Sequence, residues 1–128
     1  MSSPVIKLNG VKSNDELLKH LNKHAKGKLS VLLFSAEWCN PCEKIKKEIY
    51  TKGLPNELSV KYGDNVVFFI IDIEENKQLA EEYNITSIPC FQFLICNGGK
   101  DVEFVCKKIS GGDKNKIVKA IEEYISSH

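Results

Sequence analysis

Two cysteines three positions apart, Cys39 and Cys42, stand in the stretch Ser35-Ala36-Glu37-Trp38-Cys39-Asn40-Pro41-Cys42-Glu43-Lys44. An apolar run precedes them and a charged, helix-like segment follows. A run that ends in a turn opening a helix leaves unpaired backbone N–H groups pointing outward at that point. A thiolate on Cys39 gains from those donors and from the positive end of the helix dipole, which lowers its pKa. Cys42, one turn later, lies on the same side of the helix and reaches the first sulfur. This is the arrangement of a dithiol that cycles to a disulfide.

The elements that must hold this pair can be read outward from it. Leu29 to Phe34 is apolar except for Ser30, as expected of a strand buried on both faces of a parallel sheet. The helix after it starts near Asn40 or Pro41, where a proline in the first turn sacrifices no hydrogen bond, and turns Ile45 and Ile49 inward. Lys52-Gly53-Leu54-Pro55 interrupts that helix, and a second helical piece is expected from Asn56 to Tyr62. Val66 to Ile71 is the most β-prone run, and a right-handed crossover places it parallel to the first strand.

Before the pair, Val5 to Leu8 makes a short strand. Ser13, three residues ahead of Glu16, opens a helix striped by Leu17, Leu18 and Leu21. After Ile71, a short helix is expected over Glu74 to Tyr83 and a strand over Cys90 to Ile95. Asn97-Gly98-Gly99-Lys100 signals a hairpin, with Val102 to Ile109 returning antiparallel as one strand. Gly112 or Asp113 caps a last helix carrying Ile117, Val118, Ile121 and Ile125 on one face. The predicted class is α/β, a mixed sheet with helices on both faces, forming one domain over 1–128.

Composition narrows the functions open to such a domain. A chain of 128 residues with 42% hydrophobic and 27% charged residues is an ordinary globular protein with a real core. Eighteen basic against seventeen acidic residues leave no footprint for nucleic acid or an anionic membrane. The first residues lack the apolar core of about 7–15 residues that a signal peptide needs, and no run approaches the roughly 18–20 needed to span a bilayer. With five cysteines, a reducing compartment and a cytoplasmic location are expected, where a C-x-x-C is catalytic or metal-binding. His20 and His24 have metal-ligand spacing but lack a third ligand nearby in sequence, and read as surface histidines.

Phe34, Ala36-Glu37-Trp38-Cys39, Pro41-Cys42, the Ile71-Asp72 strand end, Ile88-Pro89 and Gly111 together resemble the thioredoxin family. Their order matches over nearly the whole chain, from about Val5 to Ile125. The resemblance implies the thioredoxin fold, with a central mixed sheet of about five strands flanked by four helices. It implies a protein-disulfide reductase, in which Cys39 attacks a substrate disulfide and Cys42 resolves the mixed disulfide. It implies a cis Pro89 beside the dithiol, and a flat surface of Trp38, Ile88, Pro89, Ser110 and Gly111 suited to extended protein substrates. Electrons would come from a thioredoxin reductase or glutathione, with no cofactor and no metal in the chain itself, which is expected to act as a monomer.

This sequence also departs from the family pattern at positions that tune the pair. Asn40 stands before Pro41 where the family usually has Gly, which bears on the reduction potential. Leu33 and Phe68 occupy the places of the family's buried Asp and Lys. Losing both together is coherent, because either charge alone would be buried unpaired at a cost of several kcal/mol. The loss predicts slower deprotonation of Cys42, or a water or Glu37 standing in for the acid. Cys90 follows Pro89 where Thr is common, and reads either as a small buried side chain or as a third sulfur near Cys39. Disulfide isomerase work is a rival, argued against by Asn40-Pro41 and the missing signal. From a different class comes a binding domain of the same fold, or one that holds zinc or an iron–sulfur cluster through Cys39, Cys42 and Cys90.

Overall fold

The structure is a computed structural model and describes residues 5–50 and 65–127. Its elements are β1 (Val5–Leu8), α1 (Asn14–Ala25), β2 (Leu29–Ser35), α2 (Asn40–Tyr50), β3 (Val66–Asp72) and α3 (Lys77–Glu82). Then follow β4 (Cys90–Cys96), β5 (Val102–Phe104), β6 (Ile109–Ser110) and α4 (Lys114–Ser127). The helical piece expected over Asn56 to Tyr62 lies outside the described residues.

The six strands form one mixed sheet in the order β1-β3-β2-β4-β5, with β6 also pairing β4. β2 is central: it runs parallel to β3 over its whole length, Leu29 opposite Val66 to Ser35 opposite Asp72, and antiparallel to β4 on its other side. All seven of its residues are buried, as are all seven of β3 and of β4. Their near-continuous apolar runs reflect this, because helices cover both faces of the sheet.

Strand alternation sorts the apolar side chains into two layers. Leu32, Phe34, Phe69, Ile71 and Leu94 face α1 and α3, meeting Leu17, Leu21 and Leu79. Leu33, Val31, Phe68, Ile70 and Phe93 face α2 and α4, meeting Ile45, Ile49, Ile117 and Ile121. Each buried Leu, Ile or Phe contributes about 1.5–3 kcal/mol over leaving it exposed.

Local signals set the element ends. The Ser13 hydroxyl accepts the Glu16 amide at 3.2 Å as an N-cap, and the Glu16 carboxylate reaches back one residue further, to the Lys12 amide at 2.9 Å. The helix expected over Glu74 to Tyr83 is shorter. The Asp72 carboxylate takes the Glu74 and Glu75 amides at 2.8 and 3.3 Å and holds a turn there, so α3 starts only at Lys77. Buried Asn76 bonds Leu8, Val11 and Asp72 and ties that turn to the chain after β1.

The returning hairpin strand is a second correction. Phe104 lies opposite Leu94 and Ile109 opposite Phe91, so residues 105–108 span a gap where β4 supplies only 92–93. The surplus is absorbed as a bulge that splits the expected strand into β5 and β6. Because the surplus is two residues, alternation is kept across it: Val105 and Ile109 both pack with the α2–α4 layer, while Phe104 is left 53% exposed.

Candidate functional site

The dithiol sits where β2 leaves the sheet. Ser35 is the last strand residue, Ala36-Glu37-Trp38 make the turn, and Cys39 immediately precedes α2. The Cys39 carbonyl accepts the Glu43 amide at 3.1 Å, and its sulfur accepts the Cys42 amide at 3.2 Å. Cys39 thus occupies the N-cap place, with its Sγ taking a donor that the helix itself leaves unpaired. Cys39 and Cys42 are joined as a disulfide with Cα atoms 5.2 Å apart, a separation ordinary for such a bond. Cys39 is 6% exposed and Cys42 is fully buried, so the first cysteine is the more accessible of the two.

Around the pair, Ala36, Ile73 and Ile88 form a small apolar cluster. The Ile88–Pro89 bond is cis, and Pro89 leads directly into β4. The Pro89 carbonyl accepts the Gly111 amide at 2.8 Å, which fixes the segment after β6 against the proline. Gly111 has φ +97°, open to glycine and strained for other residues. Ser110 pairs with Cys90 across the ladder, and its hydroxyl lies 3.4 Å from that of Ser87. Cys39, Trp38, Ile88, Pro89, Ser110 and Gly111 are therefore carried by three segments that meet at the C-terminal end of β2.

Gly112 belongs with them, and sequence reasoning assigned it only to capping. A Cβ there would stand 3.3 Å from the Pro41 carbonyl oxygen and 3.6 Å from Pro89 Cγ. The signal available was the Gly111-Gly112 doublet, of which only the first glycine was placed at the site. Glu74 was also missed. It accepts the Trp38 indole N–H at 2.5 Å and pins a ring that is 66% exposed. Glu37, Trp38, Asp72, Glu74 and Glu75 line a cleft of about 370 Å³ beside the dithiol. A far larger hollow, about 890 Å³, opens over Gln92 under the hairpin bulge and contains none of the predicted site residues. Chemistry, not volume, marks the site.

The tuning positions fall as follows. Leu33 and Phe68 are fully buried together in the α2–α4 layer, whereas the two cysteines pack in a separate cluster with Ala36. Asn40 and Pro41 are exposed in the first turn of α2. Cys90 is free and buried in the opposite layer with Phe34, its strand partner. Burial pushes its thiol pKa up, against smaller downward pulls from Lys108 and the Ser110 hydroxyl. Cys96 and Cys106 are free as well. Among the described residues no group of three or more His, Cys, Asp and Glu side chains is placed to hold a metal ion.

Comparison with known proteins adds to this geometry. The family described as Thioredoxin matches residues 5–123. The thioredoxin of Pongo abelii is 37% identical over 98 residues, covering 77% of this chain and 81% of that protein. Thioredoxin-T of Drosophila melanogaster is 32% identical over 114 residues, covering 89% of this chain and 64% of that longer relative. Among solved structures, that of Trichomonas vaginalis thioredoxin superposes with a TM-score of 0.75 at 24% identity, covering 96% of this chain and 99% of that one, which speaks to the fold. No helix among the described residues is long and apolar enough to cross a membrane.

Proposed function

The chain belongs to the thioredoxin family and carries the dithiol of a thiol–disulfide oxidoreductase, and from that premise we propose that it reduces protein disulfides with Cys39 as attacking thiol and Cys42 as resolving thiol. The family implies disulfide-bearing substrates and a reductase partner in general. The observation that carries the order of attack is the 3.2 Å bond from the Cys42 amide to Cys39 Sγ at the start of α2. A helix-start donor stabilises a thiolate on Cys39, and Cys42 has no route to an incoming substrate because it is fully buried. The Cys39 thiolate attacks one substrate sulfur, and the other leaves as a thiolate that takes up a proton. Cys42 then loses its proton, bonds to Cys39 Sγ and expels the second substrate sulfur.

Trp38, Ile88, Pro89, Ser110 and Gly111 supply the surface on which an extended substrate segment rests. Pinned by Glu74, the Trp38 ring offers a flat, partly apolar wall at little cost in ordering. Thioredoxin reductase is the electron donor that this reading names, and the cytoplasm is the compartment. The three free cysteines among the described residues fit a reducing setting. Incubation with insulin, NADPH and a thioredoxin reductase tests the activity. The Cys42→Ser variant is expected to hold a substrate as a stable mixed disulfide through Cys39, visible by mass spectrometry. Trapping through Cys42 in the Cys39→Ser variant instead would sink the assignment.

A further inference from the structure

Cys42 must lose a proton without the buried Asp and Lys of the family pattern, whose places are taken by Leu33 and Phe68, both apolar and fully buried. One polar group nevertheless stands at that end of the layer. The Ser35 hydroxyl is fully buried and has no hydrogen-bond partner. Native structures seldom leave such a group unpaired, because the missing bond costs about 1–3 kcal/mol.

Its place in the fold says where it points. Val31 and Leu33 face α2 and α4, so alternation along β2 turns Ser35 to the same side. Cys42 lies on the buried stripe of α2 with Ile45 and Ile49, which faces that side of the sheet. Ser35 also adjoins Ala36, which packs on both cysteines, and its carbonyl accepts the amide of Ile73, a further neighbour of the pair. In the disulfide the two sulfurs bond each other and neither takes the hydroxyl. A thiolate is a far stronger acceptor.

We propose that Ser35 is a hydrogen-bond donor to the Cys42 sulfur, left unpaired in the disulfide and satisfied once the bond opens. The proposal rests on Cys42 as the resolving thiol. In that step the Cys42 proton departs, the Cys42–Cys39 bond forms and the Cys39–substrate bond breaks. The departing substrate thiolate takes a proton, and Ser35 keeps its own hydrogen throughout. The hydroxyl thereby serves in an uncharged layer where the buried acid of the family would stand. The charged groups at this end are Asp72, Glu37, Glu74 and Glu75 around the neighbouring cleft, with Glu43 and Lys46 paired on the outer side of α2 and Lys108 on the hairpin side. The carboxylates all oppose a thiolate, which makes a neutral donor the more useful.

Ser30 provides an internal control. Its hydroxyl is also buried and unpaired, but alternation turns it to the opposite face, at the far end of β2. The test titrates Cys42 through its carbon-13 Cβ shift in a Cys39→Ser background, with Ser35→Ala and Ser35→Thr added. Ser35→Ala should raise the Cys42 pKa by about one unit, a tenfold loss of thiolate at a given pH, and Ser35→Thr should restore it. With the dithiol intact, Ser35→Ala should move the exchange equilibrium with glutathione about tenfold toward the disulfide, while Ser30→Ala leaves it in place. An unchanged titration, or equal shifts in stability of the oxidised and reduced forms as expected of Ser30→Ala, overturns the proposal. Trapping through Cys39 in Cys42→Ser reports on the resolving role separately, so the two failures are told apart.

Discussion

The start of α2 and the start of β4 each hold a cysteine that water hardly reaches, Cys39 and Cys90, yet only one is joined to a partner. Exposure separates them only slightly, 6% against 1%. Cys39 stands where a helix presents amides without internal acceptors, and one of them points at its sulfur. Cys90 stands in a strand between β2 and β6, where the backbone donors serve the ladder. Its thiol is surrounded by core side chains and its pKa is raised by burial. On the function proposed above, the direction of nearby backbone dipoles sets the attacking thiol apart from one that fills space.

The sharpest way to break this contrast is to delete each sulfur in turn. Cys39→Ser should lower the rate of insulin reduction by on the order of a thousandfold or more, while Cys90→Ala stays within about twofold. Equal losses would erase the distinction. The apolar pair of Leu33 and Phe68 can be challenged next. Leu33→Asp buries a carboxylate without its lysine and should cost about 3–5 kcal/mol in urea unfolding, part of which Phe68→Lys in the same chain returns. An unmoved midpoint would mean that water already reaches that layer.

Reactivity gives a smaller but more direct comparison. In the reduced protein near neutral pH, alkylation followed by mass spectrometry should modify Cys39 ahead of Cys90, with rates at least about tenfold apart. Comparable rates would show that the helix start confers no advantage. The layer that silences Cys90 also holds Tyr83, whose phenol is pushed well up by burial and then by Glu82 and Cys96. A phenol raised in the folded state stays neutral while its unfolded counterpart ionises near about pH 10, so its contribution holds below that pH and is lost as pH rises further. Tyr83→Phe should flatten that alkaline decline. At neutral pH it should cost about 1 kcal/mol, from losing the 2.5 Å bond to Asn14.

Much of this was readable from residue patterns. The near-continuous apolar runs of Leu29 to Phe34 and Val66 to Ile71 announced strands covered on both faces, and the Ser13 and Glu16 spacing announced the start of α1. The C-x-x-C announced a dithiol at a helix start because local geometry alone brings those sulfurs together. The unread parts depend on tertiary pairing. A bulge at 105–108 is set by which β4 residues are opposed, and an alternating pattern carries no mark of two surplus residues. Asp72 looked like a strand end, yet its carboxylate captures two amides and shortens α3. Glu74 gains meaning only when the sheet brings it to Trp38, and Ser35 only when every potential partner has been placed around it.

The disulfide spans a sequence separation of only three residues. In the chain-entropy account, closing so small a ring restricts the unfolded chain little, about 2 kcal/mol against roughly 4.7 for a hundred-residue loop. Opening it therefore removes less of the global stability than opening a long-range bridge would. A cross-link that is weak as a staple can be broken and remade at each turnover while the scaffold that aims it stays folded.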